Sequence, residues 1–317
     1  ADEVEDIMDS AEKRILQVAS GKRSKDFVPL QDILLDTLEQ IDLRYNNKGS
    51  ITGLPTGFTE LDHLTAGLQK SDLILVAARP SMGKTAFALN LAQHICFHEG
   101  KAAAVFSLEM SSQEIAMRML SAESGVFLSK MQAGKMNDRD WQNVSATTSR
   151  ISEAPLYVDD SANITIAEIR SKCRRLKQQE NLGLVVVDYL QLMTIGRQVE
   201  SRQQEVSAMS RNLKLLAKDL DVPVVAVAQL NRNSEGRTDR KPMMSDLRES
   251  GSLEQDADII ILLHRPDYYD ENTERKGEAD IIVAKHRAGP TATIGVLFQG
   301  DVARFANRTD RAEPGQG

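Results

Sequence analysis

The sequence predicts an α/β protein with a mostly parallel central sheet, an antiparallel extension at its C-terminal end and an N-terminal helical linker. Three observations support this fold class. From about residue 50, short runs rich in Val and Leu alternate with stretches of helical periodicity, which is typical of βα crossovers. After residue 256, four strand-like runs follow one another with no helix predicted between them, which indicates antiparallel pairing. Before residue 50, apolar residues recur at helical spacing.

The N-terminal part is predicted to contain two amphipathic helices. In residues 2–19, apolar side chains recur at three- and four-residue steps, which is the spacing of one helix face. A polar break, GKRSKD, precedes a second such helix, which begins near Pro29. The apolar faces could pack on their own domain or dock on a neighbouring subunit, and the sequence leaves both open. Because the chain begins with Ala1 rather than Met, we expect it to be a fragment of a longer protein.

Nine strands are predicted in the rest of the chain. Five of them alternate with helices: LILVAA (73–78), AAVFSL (103–108), LYVDD (156–160), LVVVDYL (184–190) and VPVVAVAQL (222–230). The helices between them are predicted at 84–98, 112–124, 138–151, 166–180 and 203–220. Capping boxes are predicted at Ser111 with Glu114 and at Thr165 with Glu168. The four later strands are DIIILL, ADIIVAKH, ATIGVLFQ and ARFAN. The tail RAEPGQG is predicted to be disordered.

The composition excludes several classes of protein. A hydrophobic content of 41% and a charged content of 27% are typical of a soluble globular chain. The longest apolar runs are too short to span a bilayer, and the N-terminus lacks the layout of a signal peptide, so no membrane is implied. Cys96 and Cys173 show no spacing typical of a zinc site or a disulfide scaffold, which favours the cytoplasm. A net charge of −7 restricts any nucleic-acid site to a local patch.

The stretch ARPSMGKT, at 78–85, lies between a predicted strand and a predicted helix, where phosphate-binding loops occur. It differs from the pattern G-x-x-x-x-G-K-[ST] at Ala78, where the pattern has glycine. Gly83, which allows close approach of the backbone, is retained. Lys84 can reach the outer phosphates, and the hydroxyl of Thr85 can bind magnesium. We therefore predict a nucleotide site that includes Ser81, Met82, Gly83, Lys84, Thr85 and Ala86, with Mg²⁺ as its metal.

Two carboxylates are candidates for the hydrolysis of a bound nucleotide. Asp188 ends the buried strand LVVVD, where a charge is costly unless it meets a cation or water, so we predict that it contacts magnesium through water, with Thr85 as the other metal residue. Glu109 follows the second strand and has no structural explanation, whereas Glu114 has its capping box. In open α/β sheets, ligands bind beyond the carboxyl ends of the strands. We expect four side chains to gather there: Lys84, Glu109, Asp188 and Gln229.

Six stretches, in this order, resemble the ATPase domain of the bacterial replicative DNA helicases of the DnaB type: ARPSMGKT, FSLEM, VVVDYLQLM, AVAQLNR, DLRESGSLEQDAD and AKHRAGP. They cover roughly residues 50–300, and alanine in the first position of the loop is common in that family. The resemblance implies a division of the chain into four parts. These are the terminal helix of a missing N-terminal domain (1–22), a linker and linker helix (23–49), a RecA-like P-loop ATPase and helicase domain (50–308) and a disordered tail (309–317).

The resemblance also implies a function. It predicts a homo-hexameric ring that moves along single-stranded DNA by ATP hydrolysis, with a primase and a helicase loader as partners. Glu109 would polarise the attacking water, and Gln229 would sense the γ-phosphate. The alternatives are a RecA-like recombinase or a clock-type ATPase without unwinding, and a non-enzymatic module in which ATP only controls assembly. The DLRESGSLEQDAD and AKHRAGP stretches argue against the first pair.

The stretch DIIVAKHRAGP contains two cations, Lys285 and Arg287, which project from the same face if the strand period of two continues. No carboxylate lies near them in sequence. They could belong to a solvated strand end, or they could act on the nucleotide of an adjacent subunit. By the pattern of the family, Arg287 is an arginine finger supplied in trans and Lys285 is its companion.

Two loops are predicted to contact DNA. One extends from Arg232 to Arg248 and is followed by Glu249-Ser250-Gly251, where glycine lets the backbone approach a ligand; the other is TIGRQVESRQQE. No Phe, Trp or Tyr lies between Tyr189 and Tyr268, so base stacking of the kind used by passive single-strand binders is not expected there and phosphate contact is. Surface salt bridges are the alternative for each arginine. The predicted DNA-binding residues are Arg248, Glu249, Gly251, Arg197 and Arg202.

Overall fold

The computed structural model describes residues 29–46, 51–188, 202–231, 237, 240–247, 251–270 and 272–308. The helix predicted at 2–19 and the tail 309–317 lie outside these residues. The chain divides into two units, one with residues 1–52 and 196–198 and one with the remainder. Among the described residues, none of the helices is long and apolar enough to cross a membrane.

The described part of the first unit is dominated by one helix, α1 (Leu30–Asn46). It begins directly after Pro29, where the sequence predicts a helix start. Six of its apolar side chains are 46–68% exposed: Leu30, Ile33, Leu34, Leu35, Leu38 and Ile41. The helix by itself therefore presents a long apolar surface.

The second unit is built on one nine-stranded sheet with the order β3-β2-β4-β5-β1-β6-β7-β8-β9. The strands are β1 (Leu73–Ala78), β2 (Ala102–Ser107), β3 (Leu156–Asp159), β4 (Leu182–Asp188), β5 (Val224–Gln229), β6 (Ile259–His264), β7 (Glu278–His286), β8 (Ala292–Gln299) and β9 (Arg304–Asn307). The first six are parallel, and β7, β8 and β9 continue the sheet in antiparallel pairs. This confirms the predicted fold class and all nine predicted strands.

Nine helices are described in the second unit. They are α2 (Thr59–Thr65), α3 (Lys84–His98), α4 (Ser112–Ser124), α5 (Leu128–Gln132), α6 (Asp138–Ser152), α7 (Ile166–Gln179), α8 (Arg202–Leu220), α9 (Gly251–Asp256) and α10 (Pro266–Tyr269). The five longest were predicted. The expectation of no helix between the C-terminal strands is wrong, because the single turn of α10 follows β6. Pro266 occupies its first turn, and four residues are too few to show a periodicity.

The sheet is covered on both faces, as the alternation in β1 shows. Leu73, Leu75 and Ala77 pack into one apolar cluster, whereas Ile74, Val76 and Ala78 pack into the other. Because side chains alternate along a strand, a strand buried on both faces is apolar throughout. The helix α3 lies on the second face and α8 on the first.

The helix starts follow local chemistry. At α4, the Ser111 hydroxyl accepts a hydrogen bond from the Glu114 amide at 3.3 Å, and the Ser111 amide donates to the Glu114 carboxylate at 2.9 Å. Thr165 and Glu168 form the same pair of bonds at α7. Both predicted capping boxes are therefore present, and each satisfies amide groups that a helix start leaves free.

Candidate active site

The loop between β1 and α3 has the geometry of a phosphate-binding loop. Ala78 is the last residue of β1 and is fully buried, so glycine is not required there. Ser81 and Gly83 adopt φ values of +65° and +92°. A Cβ on Gly83 would lie 3.0 Å from the ring of Phe305 and 3.1 Å from that of Phe298. Both the backbone angle and the contact with the rings therefore require glycine at this position.

The six residues predicted to bind nucleotide do not contribute in the same way. The side chains of Met82 and Ala86 are buried in the core, so only their backbone groups can face a phosphate. Ser81 is exposed, and Lys84 and Thr85 open α3. The N-terminus of that helix adds backbone amides and a positive dipole end, which favour an anion.

Lys84 lies between the two predicted carboxylates. Its Nζ is 3.0 Å from Oε2 of Glu109 and 3.8 Å from Oδ1 of Asp188. The Glu109 side chain is 51% exposed, whereas that of Asp188 is 3% exposed. The lysine is thus directed into the site by two charges that differ greatly in their access to water.

The Asp188 carboxylate is buried without hydrogen-bond partners for either oxygen among the described residues. Burial raises its pKa, and the charge of the Lys84 ammonium only partly opposes this effect. A buried carboxylate is stable only with a cation or polar partner, so these two oxygens fit a hydrated Mg²⁺ ion. No group of three or more His, Cys, Asp or Glu side chains that could hold a metal occurs in the described part of the chain. A site of this kind must therefore take most of its ligands from phosphate and water.

The strand register explains why residues far apart in sequence meet here. Asp188 lies opposite Ser107 in the pairing of β4 with β2, and Gln229 lies opposite Ala78 in the pairing of β5 with β1. Glu109 follows β2 by two residues. The structure thus brings Lys84, Glu109, Asp188 and Gln229 to one edge of the sheet, at the carboxyl ends of parallel strands.

One residue at this edge was missed by the sequence analysis. Arg265, directly after β6, donates from Nη1 to the carbonyl of Ser81 at 3.2 Å. Its guanidinium lies 4.1 Å from the centroid of the Phe298 ring, and its Nη2 is 3.3 Å from the Asp267 carboxylate. The signal that could have identified it is its place at the end of a strand that neighbours β1.

Lys285 and Arg287 lie at the opposite edge of the sheet. His286 pairs with Ile259, and Ile259 pairs with Ile74 at the start of β1. The six residues of β1 span about 20 Å, and the phosphate-binding loop follows their far end. Neither cation can therefore reach the nucleotide loop of its own chain.

Both cations also have local partners that the sequence did not reveal. The Lys285 ammonium donates to the carbonyls of Glu254 at 2.6 Å and Ala257 at 2.7 Å, at the end of α9. Arg287 lies in the turn after β7 and pairs with Asp258 at 3.3 Å. The contact with Asp258 crosses 29 residues of sequence, which is why no partner was found nearby in the chain.

Most of the predicted DNA-binding residues lie outside the described residues. This applies to Arg197, Arg248 and Glu249, and to the side chain of Arg202; Gly251 is the first residue of α9. Two other basic residues of the long loop have structural partners. Arg237 pairs with the buried Asp246, and the Arg240 guanidinium lies 5.3 Å from the centroid of the Tyr269 ring. The ion pair favours the salt-bridge alternative for Arg237, whereas Arg240 packs on an aromatic ring and forms no salt bridge among the described residues.

Known proteins resemble this chain over nearly all of its length. The family described as "DnaB-like helicase C terminal domain" matches residues 53–307. Replicative DNA helicase DnaB of Leifsonia xyli subsp. xyli (strain CTCB07) is 53% identical over 305 residues, which cover 96% of this chain and 67% of the relative. Replicative DNA helicase DnaC of Bacillus subtilis (strain 168) is 49% identical over 307 residues, which cover 96% of this chain and 68% of the relative.

Solved structures give the same result. A structure described as an ATPase domain matches with a TM-score of 0.85 and 39% identity, and the match covers 89% of this chain and 100% of that domain. A DnaB-like replicative helicase, described with its interactions with primase, matches with a TM-score of 0.82 and 38% identity over 94% of this chain and 71% of its own. These matches confirm the RecA-like fold and favour the helicase over the recombinase or clock-type alternative. The chain belongs to the DnaB-like helicase family, whose C-terminal domain it carries.

Proposed function

We propose that this chain is the motor of a replicative DNA helicase, in which ATP hydrolysed between neighbouring subunits drives movement along single-stranded DNA and unwinding of the duplex. One observation carries the proposal. Lys84, Glu109 and Asp188 meet at one edge of the sheet, whereas Arg287 lies at the other edge with a side chain that is 66% exposed. An array of identical subunits can place one edge against the other, and a single chain cannot.

The contacts of Lys84 support a sequence of events at the nucleotide. Its ammonium donates to the Glu109 carboxylate at 3.0 Å. The phosphates of ATP would draw Lys84 away, because they carry more charge and lie at the N-terminus of α3. Glu109 is then free to accept a proton from the attacking water. This exchange of partners would link the release of Glu109 to the binding of nucleotide.

Asp188 and Thr85 would hold magnesium, directly or through water. The ion would neutralise charge on the β- and γ-phosphates when it is bound. Gln229 lies beside the loop at the end of β5 and is proposed to respond to the γ-phosphate. Arg287 would supply positive charge to the nucleotide of the adjacent subunit, with Lys285 beside it.

Membership of the family supports roles for the remaining parts of the chain. We propose that α1 is the linker helix, that residues 1–22 complete a preceding N-terminal domain, and that the assembly is a hexamer in the cytoplasm. Arg248, Glu249, Gly251, Arg197 and Arg202 would line a central channel for single-stranded DNA. A primase and a helicase loader are the proposed protein partners; one of the similar structures is described with its interactions with primase.

Glu109→Gln separates an enzyme from a module that only binds nucleotide. The amide keeps the size of the side chain but cannot accept the proton, so we expect binding of a fluorescent ATP analogue to persist and the ATPase rate to fall about 100-fold or more. The rate is measured by phosphate release with and without single-stranded DNA. Normal turnover in this variant would exclude the enzymatic role of Glu109.

Arg287→Ala, mixed with wild type, tests the shared site. In a ring, each variant subunit prevents hydrolysis of the nucleotide bound by its neighbour. A mixture with half of the variant should therefore retain less than half of the strand-displacement activity. Arg304→Ala, at an exposed position of β9, is the matched control and should preserve activity both alone and in the mixture. A strictly proportional loss with Arg287→Ala would contradict the action in trans.

A further inference from the structure

Asp258 occupies the short link between α9 and β6 and is 5% exposed. Its Oδ2 accepts hydrogen bonds from the backbone amide of Leu73 at 2.8 Å and from the ammonium of Lys214 on α8. Its Oδ1 accepts from Nη1 of Arg287 at 3.3 Å. One buried carboxylate therefore joins β1, α8 and the turn that carries Arg287.

Arg287 is attached to Asp258 at two points. Besides the side-chain pair, the backbone amide of Arg287 donates to the backbone carbonyl of Asp258 at 2.8 Å. The two bonds fix the direction of the side chain with respect to the sheet, although two-thirds of its surface is exposed (66%). A guanidinium has five donors, and only Nη1 has a hydrogen-bond partner among the described residues. The remaining donors are available to a ligand outside the chain.

The position of Asp258 depends in turn on its other partners. A buried carboxylate needs cations or hydrogen bonds to offset the loss of water, and Lys214 and the Leu73 amide supply them. Lys285 holds the preceding residue, because its ammonium donates to the carbonyl of Ala257 at 2.7 Å. Lys214 and the Leu73 amide thus hold the Asp258 carboxylate, and Lys285 holds the backbone beside it, independently of Arg287.

We propose that Asp258 is a positioning residue for the shared active site, which orients Arg287 toward the nucleotide of the neighbouring subunit. This inference rests on the proposed function, in which Arg287 acts in trans. Asp258 does not touch the nucleotide; it limits the rotamers of a long exposed side chain, so that less freedom is lost when the guanidinium meets the phosphates. The bond to Asp258 uses one nitrogen and leaves the other donors for the transition state.

The competing explanation is that Asp258 only ties the sheet to α8. In that case its loss would weaken every subunit equally, whichever side of the shared site the subunit supplies. If Asp258 positions Arg287, its loss matters only in the subunit that supplies Arg287 to the shared site. Its loss in the subunit that binds the nucleotide should then have little effect. A mixture of two inactive variants can separate these explanations.

The experiment combines Lys84→Ala subunits, which retain Arg287, with Arg287→Ala subunits, which retain the phosphate-binding loop. A complete site forms only where a Lys84→Ala subunit supplies Arg287 to the phosphate-binding loop of an Arg287→Ala subunit. The mixture should therefore hydrolyse ATP faster than either variant alone. Adding Asp258→Asn to the Lys84→Ala subunit should lower this restored rate about 10-fold or more. The same change in the Arg287→Ala subunit should have a much smaller effect.

Asp280 supplies the matched control. Asp280 lies on β7 of the same sheet and is also buried and paired with an arginine. Its oxygens are 2.6 and 3.1 Å from the guanidinium of Arg275. Asp280→Asn in the Lys84→Ala subunit should leave most of the restored rate. Asp258→Glu, which keeps the charge but moves the carboxylate outward, provides a second variant if the amide lowers the melting temperature; it should lower kcat with little change in KM.

The outcomes are distinct. A loss that depends on which subunit carries Asp258→Asn supports the inference. Equal losses from both subunits, or an equal loss with Asp280→Asn, would overturn it and leave the action of Arg287 in trans intact. If the mixture of Lys84→Ala and Arg287→Ala shows no gain over the separate variants, the proposed action in trans fails, and the positioning role fails with it.

Discussion

Glu109 and Asp188 contact the same lysine and differ greatly in burial. Asp188 is almost completely buried and has a raised pKa, so it is costly as a charge unless a cation neutralises it. Glu109 remains half-exposed and forms the shorter contact with Lys84, so its carboxylate is accessible to water. Under the proposed roles, burial alone distinguishes the carboxylate that would bind the metal from the carboxylate that would accept a proton.

Asp72, beside Asp258, is predicted to make stability depend on pH. Burial, and next the charge of Asp258, raise its pKa to about 6, while Lys214 and Arg287 oppose the shift. Because the folded chain holds this proton more tightly than the unfolded chain, the contribution to stability is present at pH values below about 4 and is lost as the pH rises through about 6. Asp72→Asn removes the titration, so its advantage over wild type should grow with pH.

The expected advantage of Asp72→Asn in the free energy of unfolding is about 1–2 kcal/mol at a pH of about 7.5, with allowance for the partial exposure of the side chain, and close to zero at a pH of about 4. Urea unfolding at the two pH values measures it. An advantage of the same size at both would show that the substitution acts through packing or hydrogen bonding and not through ionisation.

At the scale of elements, the sequence was sufficient to predict those features that depend on residues close together in the chain. The nine strands are runs rich in apolar residues, and the capping boxes involve residues only three positions apart, as at Ser111 and Glu114. The loop at Gly83 could likewise be found from its neighbours. Single-turn helices such as α10 could not, because their few residues carry no periodic pattern.

Contacts between elements were the part that the sequence could not reveal. Arg265 and Ser81 are separated by 184 residues, and they meet only because β6 pairs with β1. Arg287 and Asp258 meet because the β6–β7 pairing folds 29 residues back on themselves. The register of this pairing also shifts next to Ile260, and such irregularities depend on packing that a pattern does not record. A search for charged partners close in sequence therefore missed the partner of Arg287 in the antiparallel extension.

At the scale of the whole molecule, the two edges of one sheet carry two halves of a proposed reaction. The phosphate-binding loop lies at the carboxyl ends of the parallel strands, and the antiparallel extension returns Arg287 to the opposite edge. Under the proposed function, two copies of the chain are needed to complete one site. Assembly and hydrolysis are then linked, because a heterologous contact that closes into a ring completes the same site in every subunit.

The apolar surface of α1 leads to the last prediction, which concerns assembly. Leu34 and Leu38 lie one turn apart and are 49% and 59% exposed, and covering the exposed half of each side chain is favourable by about 1 kcal/mol. If a neighbouring subunit covers them, Leu34→Glu with Leu38→Glu should lower the mass measured by light scattering and leave the melting temperature unchanged. Gln31→Glu, which adds a charge at an exposed polar position of the same helix, should preserve the mass. A lower melting temperature at unchanged mass would show instead that α1 packs on its own chain.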